Sequence, residues 1–307
     1  MKRFLYFALF LLVTVLIYFL VISHLSLKID KRRGENTSLA ENKTSSTNLV
    51  AVDATVYRGL MQMLGIGNRC VDFSYQMKPD AEKVAASGAD ILMLSMYDDL
   101  DTTKYSRLGI KIVKCRDFME TSPLNRAIWM KIYGRLWGVG DRADSLYNIV
   151  EKQYNSKCLS TKNVTKKPSV FFDLMYGNIW YQPAEESSLG KMITDAGGVI
   201  PFNIKQKGGS LALSKEQVLN AAKDADFWII RYNGVAKLTL ERLKDINPIY
   251  SQFKAFRTGN VWACNTDNVL YFDETPFRPD YQIEDIIGIL HPDIANKTQM
   301  RYFTKLR

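Results

Sequence analysis

A short segment late in the chain, Phe272–Asp293, places an aromatic residue and an arginine between two prolines. Pro276 and Pro279 restrict the backbone on both sides of Phe277 and Arg278. A guanidinium held in this way suits a ligand carboxylate, which it can bind through two parallel hydrogen bonds. The same rigid loop can equally be a structural corner before the amphipathic helix that follows it. The sequence leaves both interpretations open.

Other aromatic and charged residues follow the predicted strands of the chain. In a parallel α/β sheet, ligands bind beyond the carboxyl ends of the strands. Flat aromatic side chains with a few fixed charges suit a large planar or multi-ring ligand, although any one of them can instead be a packing residue. Arg126, Arg231 and Arg278 are candidate clamps for ligand carboxylates, and Arg126 alternatively anchors a helix. The candidate ligand-binding residues are Thr55, Tyr75, Tyr97, Glu120, Tyr176, Trp180, Tyr181, Arg231, Tyr232, Phe277 and Arg278.

Motifs that would indicate an enzyme or a metal site are missing from the sequence. The two histidines, His24 and His291, lie in the apolar N-terminal run and beyond the last strong helix, so a Ser–His–Asp triad or a histidine metal site is not expected. No phosphate loop is present. The four cysteines form no CxxC pair, and Cys70 and Cys115 either pair with each other or stay as thiols. We therefore expect no enzyme, no metal ligands and no intrinsic cofactor.

The composition favours a folded body that does not bind nucleic acid. Of the 307 residues, 47% are hydrophobic and 24% are charged, which allows a packed core. The net charge is +9, but the lysines and arginines are spread along the chain without a recognition motif. Nucleic acid is therefore not an expected partner.

The N-terminal region predicts a membrane anchor followed by a tether. Residues 4–27 carry no formal charge apart from a possible one on His24, and they are long enough to cross a hydrocarbon layer of about 30 Å. Neither a small-residue cleavage site nor a cysteine follows this run, so residues 1–27 are expected to stay as an uncleaved signal anchor. Basic residues on both sides leave the orientation open. The polar residues 28–47 are expected to form a flexible tether.

Short apolar runs alternate with helical patterns through the rest of the chain, which predicts an α/β fold with parallel sheets. Four strand-like runs fall within residues 48–122, the predicted N-terminal α/β lobe. Residues 123–155 show helical spacing interrupted by glycines, as one kinked helix or two helices would. Residues 156–307 return to the α/β alternation and form the predicted C-terminal lobe.

The order of these motifs resembles a known family, the ABC-transporter substrate-binding proteins that deliver metal chelates, of the class III or helical-backbone type. The resemblance spans roughly residues 48–305. Its more specific parts are "METSPLNRAIWMKIYGRLWG", "MITDAGG", "LALSKEQVLNAAKDADFWII" and "PFRPDYQIEDIIGILHP".

The resemblance implies two α/β lobes joined by a long rigid helix, with a ferric siderophore, haem or a corrinoid such as cobalamin held between them. It implies a monomer on the periplasmic side of the inner membrane, with an ABC permease and its ATPase subunits as partners. It also implies docking onto that permease through one exposed glutamate on each lobe. These positions correspond to Glu82 and Glu216; the alternative for each is an ordinary first-turn glutamate stabilised by the helix dipole.

Two other functions stay open at this stage. The first is a membrane-anchored sensor or receptor that uses the same fold without delivering cargo. The second is an enzyme that processes a metal chelate, which the scarcity of histidine disfavours.

Overall fold

The computed structural model describes residues 49–76, 78–206, 208–295 and 300–307. The predicted anchor (residues 1–27) and the predicted tether (residues 28–47) lie outside these described residues. Within the described ranges, no helix combines the length and the apolar composition that crossing a membrane requires.

The described chain alternates strands and helices, as predicted. The strands are β1 Val50–Val52, β2 Cys70–Asp72, β3 Ile91–Ser95, β4 Lys111–Cys115, β5 Val170–Phe172, β6 Ile179–Pro183, β7 Ser210–Ser214, β8 Phe227–Tyr232, β9 Val261–Asn265 and β10 Thr304–Lys305. The α-helices are α1 Thr55–Met63, α2 Ala81–Ala86, α3 Thr102–Arg107, α4 Pro123–Ala127, α5 Trp129–Leu136, α6 Gly140–Thr161, α7 Ser188–Asp195, α8 Lys215–Ala222, α9 Leu240–Ile246, α10 Lys254–Arg257, α11 Tyr271–Glu274 and α12 Pro279–Leu290.

The described chain divides into two compact units. The first unit contains the described residues up to Arg116 together with Met130–Asp144, and the second contains Asp117–Trp129 together with Ser145–Arg307. The predicted helical segment 123–155 contains α4, α5 and most of α6, and the residues of these helices are shared between the units. The predicted lobe boundaries stay predictions.

The first unit is built on a four-stranded parallel sheet with the order β2-β1-β3-β4. The central strand β1 is completely buried at Val50, Ala51 and Val52. Such a continuous apolar run fits a strand that is covered on both faces, which is why the sequence predicts a parallel sheet here. Helices α2 and α3 each begin after an aspartate, Asp80 and Asp101, that accepts a backbone N–H of the first turn.

The second unit contains a four-stranded sheet with the order β10-β9-β8-β5, parallel except for β10. Trp228 and Ile230 of β8 pack in one apolar cluster, while Ile229 packs in another. Because successive side chains of a strand point to opposite faces, this alternation means that both faces of the sheet are buried. The predicted α/β fold with parallel sheets is confirmed in each unit.

A separate two-stranded antiparallel hairpin, β6–β7, also belongs to the second unit. Its inner face carries Trp180 and Gln182, both completely buried. The Gln182 amide replaces a missing strand neighbour, because its Oε1 accepts from the Phe172 backbone N–H at 2.8 Å and its Nε2 donates to the Phe172 carbonyl at 2.6 Å. A side chain thus joins the hairpin to the end of β5.

This junction gives a stability prediction. Replacing Gln182 with alanine leaves the buried N–H of Phe172 without its acceptor and opens a small cavity. We expect the free energy of unfolding to fall by about 2–4 kcal/mol, measured by urea unfolding with tryptophan fluorescence. The control is Asn220→Ala on the exposed face of α8, which should change stability by about 0.5 kcal/mol or less. Equal stability of the two variants would contradict the role given to Gln182.

Candidate functional site

The carboxyl ends of β1, β2 and β3 in the first unit display two of the predicted aromatic residues. Tyr75, in the loop after β2, is 75% exposed and stacks on Phe73 with 6.4 Å between ring centroids. Tyr97, after β3, is half-buried, and burial raises the pKa of its hydroxyl. Thr55 begins α1 and is also half-buried. Tyr75 is therefore the predicted residue of this unit with the most surface to offer a ligand.

A buried carboxyl pair, Asp53 and Asp98, lies beside these residues. Asp53 Oδ2 accepts from the Ser95 backbone N–H at 2.9 Å, whereas Asp53 Oδ1 and Asp98 Oδ2 are buried and receive no donor from another residue. Burial, followed by the hydrogen bond and charge of Asp98, raises the pKa of Asp53 to about 8. A proton on Asp53 would let this carboxyl group donate to Asp98, and it would remove the repulsion of two like charges.

The carboxyl ends of β5, β8 and β9 lie at one edge of the second sheet, because these three neighbouring strands are parallel. The loops that leave them expose four large apolar side chains, which we call the apolar edge: Tyr176 after β5, Val235 after β8, and Leu270 and Phe272 after β9. Asp267 accepts from the Gly234 backbone N–H at 2.8 Å and Asn265 donates to the Gly234 carbonyl at 2.8 Å, so the last two loops are tied together. This is the edge where α/β sheets bind ligands.

Three members of the apolar edge were not among the sequence-predicted site residues. Val235 has no other large apolar side chain beside it in residues 233–237, and this pattern is a signal that could have identified it, because an apolar residue in a polar loop has no core to join. Leu270 and Phe272 belong to the apolar run 269–272, in which Tyr271 is buried, so local sequence does not distinguish their exposed side chains from core residues.

Beneath the apolar edge, Asp173 organises the ends of β5 and β8. Its φ of 56° lies in the left-handed region, which is uncommon for a residue other than glycine. Its carbonyl accepts the indole N–H groups of Trp180 at 3.1 Å and of Trp228 at 2.9 Å. Its carboxylate accepts the backbone N–H of Arg231 at 2.9 Å as well as the guanidinium. One residue therefore fixes two strand ends and the hairpin.

Arg231, a predicted ligand clamp, is bound internally by this carboxylate. Its Nε donates to Asp173 Oδ1 at 3.0 Å, and its Nη2 contacts Asp173 Oδ2. Burial alone would lower the pKa of Arg231, but the charge and hydrogen bonds of Asp173 raise it above its usual value. The Nε and Nη2 edge of the guanidinium, one of the two edges that can bind a carboxylate, is therefore already occupied.

Trp180 and Phe277, both predicted to face a ligand, are completely buried. The Trp180 ring packs against Phe171, Trp228 and Tyr250 at centroid distances of 5.5–5.9 Å. Its indole N–H donates to the backbone carbonyls of Phe172 and Asp173. The structure therefore corrects the assignment of Trp180, which is a core residue. Phe277 likewise presents no surface to a ligand in this structure.

Arg278 belongs to a structural corner. Its Nε donates to Asp280 Oδ1 at 2.9 Å and its Nη2 donates to Asp280 Oδ2 at 2.6 Å, while its guanidinium carbon lies 3.4 Å from the centroid of the Tyr281 ring. The guanidinium carbon of Arg301 lies 4.3 Å from the same centroid. Of the two interpretations of the proline-flanked loop, these contacts favour the corner.

Three further predicted residues have structural partners in the second unit. Glu120 Oε1 accepts from Trp129 Nε1 at 3.0 Å. Arg126 Nε donates to the buried carboxylate of Asp117 at 3.1 Å, which fits the alternative that Arg126 anchors a helix. The hydroxyl of Tyr232 accepts from the backbone N–H of Leu238 at 3.2 Å.

Tyr181 lies on the outer face of the β6–β7 hairpin, opposite Ala212. It is half-buried, and burial, with a smaller contribution from Tyr176, raises the pKa of its hydroxyl. The two tyrosines therefore lie near one another. The structure brings Tyr176 and Tyr181 together as predicted site residues that keep exposed surface.

The two predicted docking glutamates are exposed first-turn residues. Glu82 lies in the first turn of α2 and Glu216 in the first turn of α8. The Glu216 carboxylate lies 3.6 Å from Lys215 Nζ, and hydrogen bonds to its own backbone and to Ser214 lower its pKa. Both positions are accessible to a partner, and their docking role stays a prediction.

The cysteines do not form a disulfide. Cys70 and Cys115 lie on β2 and β4, the outer strands of the first sheet, about 14 Å apart at a strand spacing of roughly 4.8 Å, which is too far for a bridge. Burial raises the pKa of Cys70 to about 11. In the described part of the chain, no group of three or more His, Cys, Asp and Glu side chains is arranged to hold a metal ion.

The carboxyl pair gives a prediction on pH dependence. Between the ordinary aspartate pKa near 4 and the raised value of about 8, unfolding releases the proton that folded Asp53 holds. Stability from this group is therefore fully present below about pH 4 and is lost as pH rises towards 8, at up to about 1.4 kcal/mol per pH unit. Asp53→Asn keeps a donor between the two side chains and removes the titration.

We expect the free energy of unfolding of Asp53→Asn to fall less between pH 5 and pH 8 than that of the wild type. Urea unfolding at three pH values measures the two slopes. Asp99→Asn, which removes an exposed neighbouring carboxylate, should keep the wild-type slope. If Asp53→Asn also kept it, the shared proton would be refuted.

The sequence matches a protein-family model and two curated relatives. A family model described as "Periplasmic binding protein" matches residues 26–267. Two curated relatives are uncharacterised lipoproteins of Methanocaldococcus jannaschii. One is 28% identical over 243 residues, which cover 77% of this chain and 56% of the relative. The other is 26% identical over 233 residues, which cover 71% of this chain and 56% of the relative. The chain spans about half the length of these curated relatives.

Solved structures with a similar fold include a heme-binding protein and a protein of a transport system. The periplasmic heme-binding protein RhuT from Roseiflexus sp. RS-1 matches with a TM-score of 0.63 and 16% identity, covering 82% of this chain and 100% of that chain. A protein of an ABC-type Fe3+-hydroxamate transport system from Saccharomonospora viridis matches with a TM-score of 0.60 and 14% identity, covering 79% and 92%. At these identities the similarity establishes the fold.

The resemblance to ABC-transporter substrate-binding proteins is confirmed by these comparisons. The family match covers well over half of the sequence and includes β1 to β9. The parallel sheets of both units agree with it. The chain therefore belongs to the periplasmic binding protein family.

Proposed function

We propose that this protein is the substrate-binding component of an ABC importer that captures a metal chelate, namely a ferric siderophore, haem or a corrinoid. The observation that carries the proposal is the apolar edge: Tyr176, Val235, Leu270 and Phe272 are exposed at the carboxyl ends of parallel strands in a chain whose family binds solutes. The names of similar structures support the ligand class, since one is a heme-binding protein and another belongs to an Fe3+-hydroxamate transport system.

Capture would use burial of apolar surface and would make or break no covalent bond. Covering about 100 Å² of an aromatic side chain contributes roughly 2.5 kcal/mol at 25 cal/mol per Å². Tyr176 on the second unit and Tyr75 on the first are the predicted residues with the largest exposed rings. Because each lies on a loop held by a rigid sheet, little ordering entropy opposes binding.

Delivery would depend on Glu82 and Glu216. Both side chains are exposed on the first turn of a helix, where they can form charge-assisted pairs with arginines of a permease. Residues 1–27 would hold the protein at the periplasmic side of the membrane. The lipoprotein names of two relatives support membrane attachment, here through an apolar segment in place of a lipid.

Ligand capture can be tested with the purified full-length chain in detergent. We expect haem, a ferric siderophore or cobalamin to quench the fluorescence of the five tryptophans in a saturable titration. Tyr176→Ala should weaken the affinity for that ligand by about 10–100-fold, equivalent to about 1.4–2.8 kcal/mol of lost contact.

The matched control is Leu159→Ala, which removes an exposed apolar side chain from α6 and should leave the affinity unchanged. Absence of saturable binding for all three ligand classes would refute the proposal. Equal affinity of the wild type and Tyr176→Ala would remove the apolar edge from the binding site.

Permease docking can be tested separately by charge reversal. In cells that depend on this protein for uptake, Glu82→Lys and Glu216→Lys together should lower chelate uptake at least tenfold, because each reversal turns an attraction into a repulsion. Ligand affinity of the purified double variant should stay at the wild-type value. Glu241→Lys, an exposed first-turn residue of α9, is the control. Unchanged uptake by the double variant would favour the sensor alternative over delivery.

A further inference from the structure

We propose that the apolar edge selects a chelate whose contacted face carries no carboxylate, such as a neutral ferric hydroxamate complex or the ring face of a macrocycle. This inference rests on the proposed function and deepens it. Its basis is the state of Arg231, whose guanidinium is bound by Asp173 along its Nε and Nη2 edge.

A ligand cannot easily displace Asp173 from Arg231. Asp173 accepts from Arg231 through three donors, namely the backbone N–H at 2.9 Å, Nε at 3.0 Å, and Nη2. To bind this edge of the guanidinium, a ligand carboxylate would have to replace an intramolecular partner that is already oriented and whose backbone is fixed by the indoles of Trp180 and Trp228. Asp173 is already ordered beside Arg231, whereas a ligand carboxylate would lose conformational and translational freedom each time it bound.

The remaining charges at this edge give no net attraction for an anion. Arg231 and Lys237 are balanced by Asp173 and Asp267 across the ends and loops of β5, β8 and β9. Lys237 is exposed on a flexible stem, and an exposed lysine holds a carboxylate only weakly. Arg126 and Arg278, the other two predicted clamps, also lie in this unit and are bound by Asp117 and Asp280.

Recognition at this edge is therefore dominated by apolar contact. A carboxylate pressed against Val235, Leu270 and Phe272 would lose its hydration without gaining a strong partner, and that loss would weaken binding. A ligand with an uncharged face avoids this loss while keeping the gain from buried apolar area. The edge thus disfavours carboxylates because it offers them no strong cationic partner, and it favours neutral ligands through apolar contact.

The experiment compares ligands that differ only in carboxylate groups. One pair is iron protoporphyrin IX and its dimethyl ester, and a second is a neutral ferric trihydroxamate and an analogue that bears one carboxylate. Titration of the full-length chain gives the ratio of dissociation constants, acid over neutral, for each pair. We expect this ratio to be one or higher in the wild type for every pair that binds.

Two variants test whether Arg231 sets the acid-over-neutral ratio of dissociation constants. Asp173→Asn keeps a residue that tolerates the left-handed backbone but frees the guanidinium, and it should lower the acid-over-neutral ratio about tenfold, the effect of one added charge-assisted hydrogen bond. Arg231→Gln should leave the ratio at its wild-type value. Asp226→Asn, which removes a carboxylate paired with Lys254 at the opposite, amino end of β8, is the control for the change in charge.

The outcomes distinguish failure of the proposed function from failure of the inference about carboxylate-free ligands. If the wild type binds the acid at least tenfold more tightly and Arg231→Gln abolishes that preference, Arg231 is a ligand clamp and this inference is wrong while the proposed function stands. An Asp173→Asn variant that folds, as judged by circular dichroism, and keeps the wild-type ratio also overturns it. If no member of either pair binds, the inference fails; if cobalamin also shows no saturable binding, the proposed function fails with it.

Discussion

The ion pair between Asp173 and Arg231 is the interaction on which the second unit depends. Asp173 joins the end of β5 to β8 through its carboxylate and to the hairpin through its carbonyl. Its left-handed backbone conformation turns the chain after β5, in the segment that leads to Tyr176. Such a conformation persists only where the surroundings enforce it, and here two indoles and a guanidinium do so.

The same pairing principle recurs at the other arginines predicted to bind ligand. Arg126 is bound by Asp117 and Arg278 by Asp280, so both neutralise carboxylates of their own unit. Asp117 and Asp280 are buried, and a buried carboxylate without a partner is strongly destabilising. Membership in the periplasmic binding protein family confirms the prediction that the protein is a binding protein and not an enzyme. In the described structure, Arg126 and Arg278 form ion pairs within their own unit.

Local pattern was enough to predict the seven strands β1 to β5, β8 and β9, most helices and the parallel sheets, but not β6, β7 or β10. Runs such as Ile91–Ser95 are apolar throughout, and Ser214 with Gln217 forms the capping box that starts α8. The pairing of β6 with β7 and the contact of Asp173 with Arg231 join residues far apart in sequence, so no local pattern contains them. Trp180 shows the limit at the site: its neighbours Ile179 and Tyr181 face outward, and only this alternation indicates that Trp180 faces inward.

Strand β10 has a consequence for the behaviour of the protein in solution. It pairs antiparallel with β9 at Thr304 and Lys305, and the Leu306 backbone N–H donates to the Val261 carbonyl at 2.8 Å. These few residues cover the outer rim of a sheet whose strand Val261–Asn265 is apolar and largely buried. An uncovered rim of this kind can add a strand from a second molecule and so begin aggregation. A two-residue strand that ends in a lysine closes the rim while being too short to recruit another chain itself.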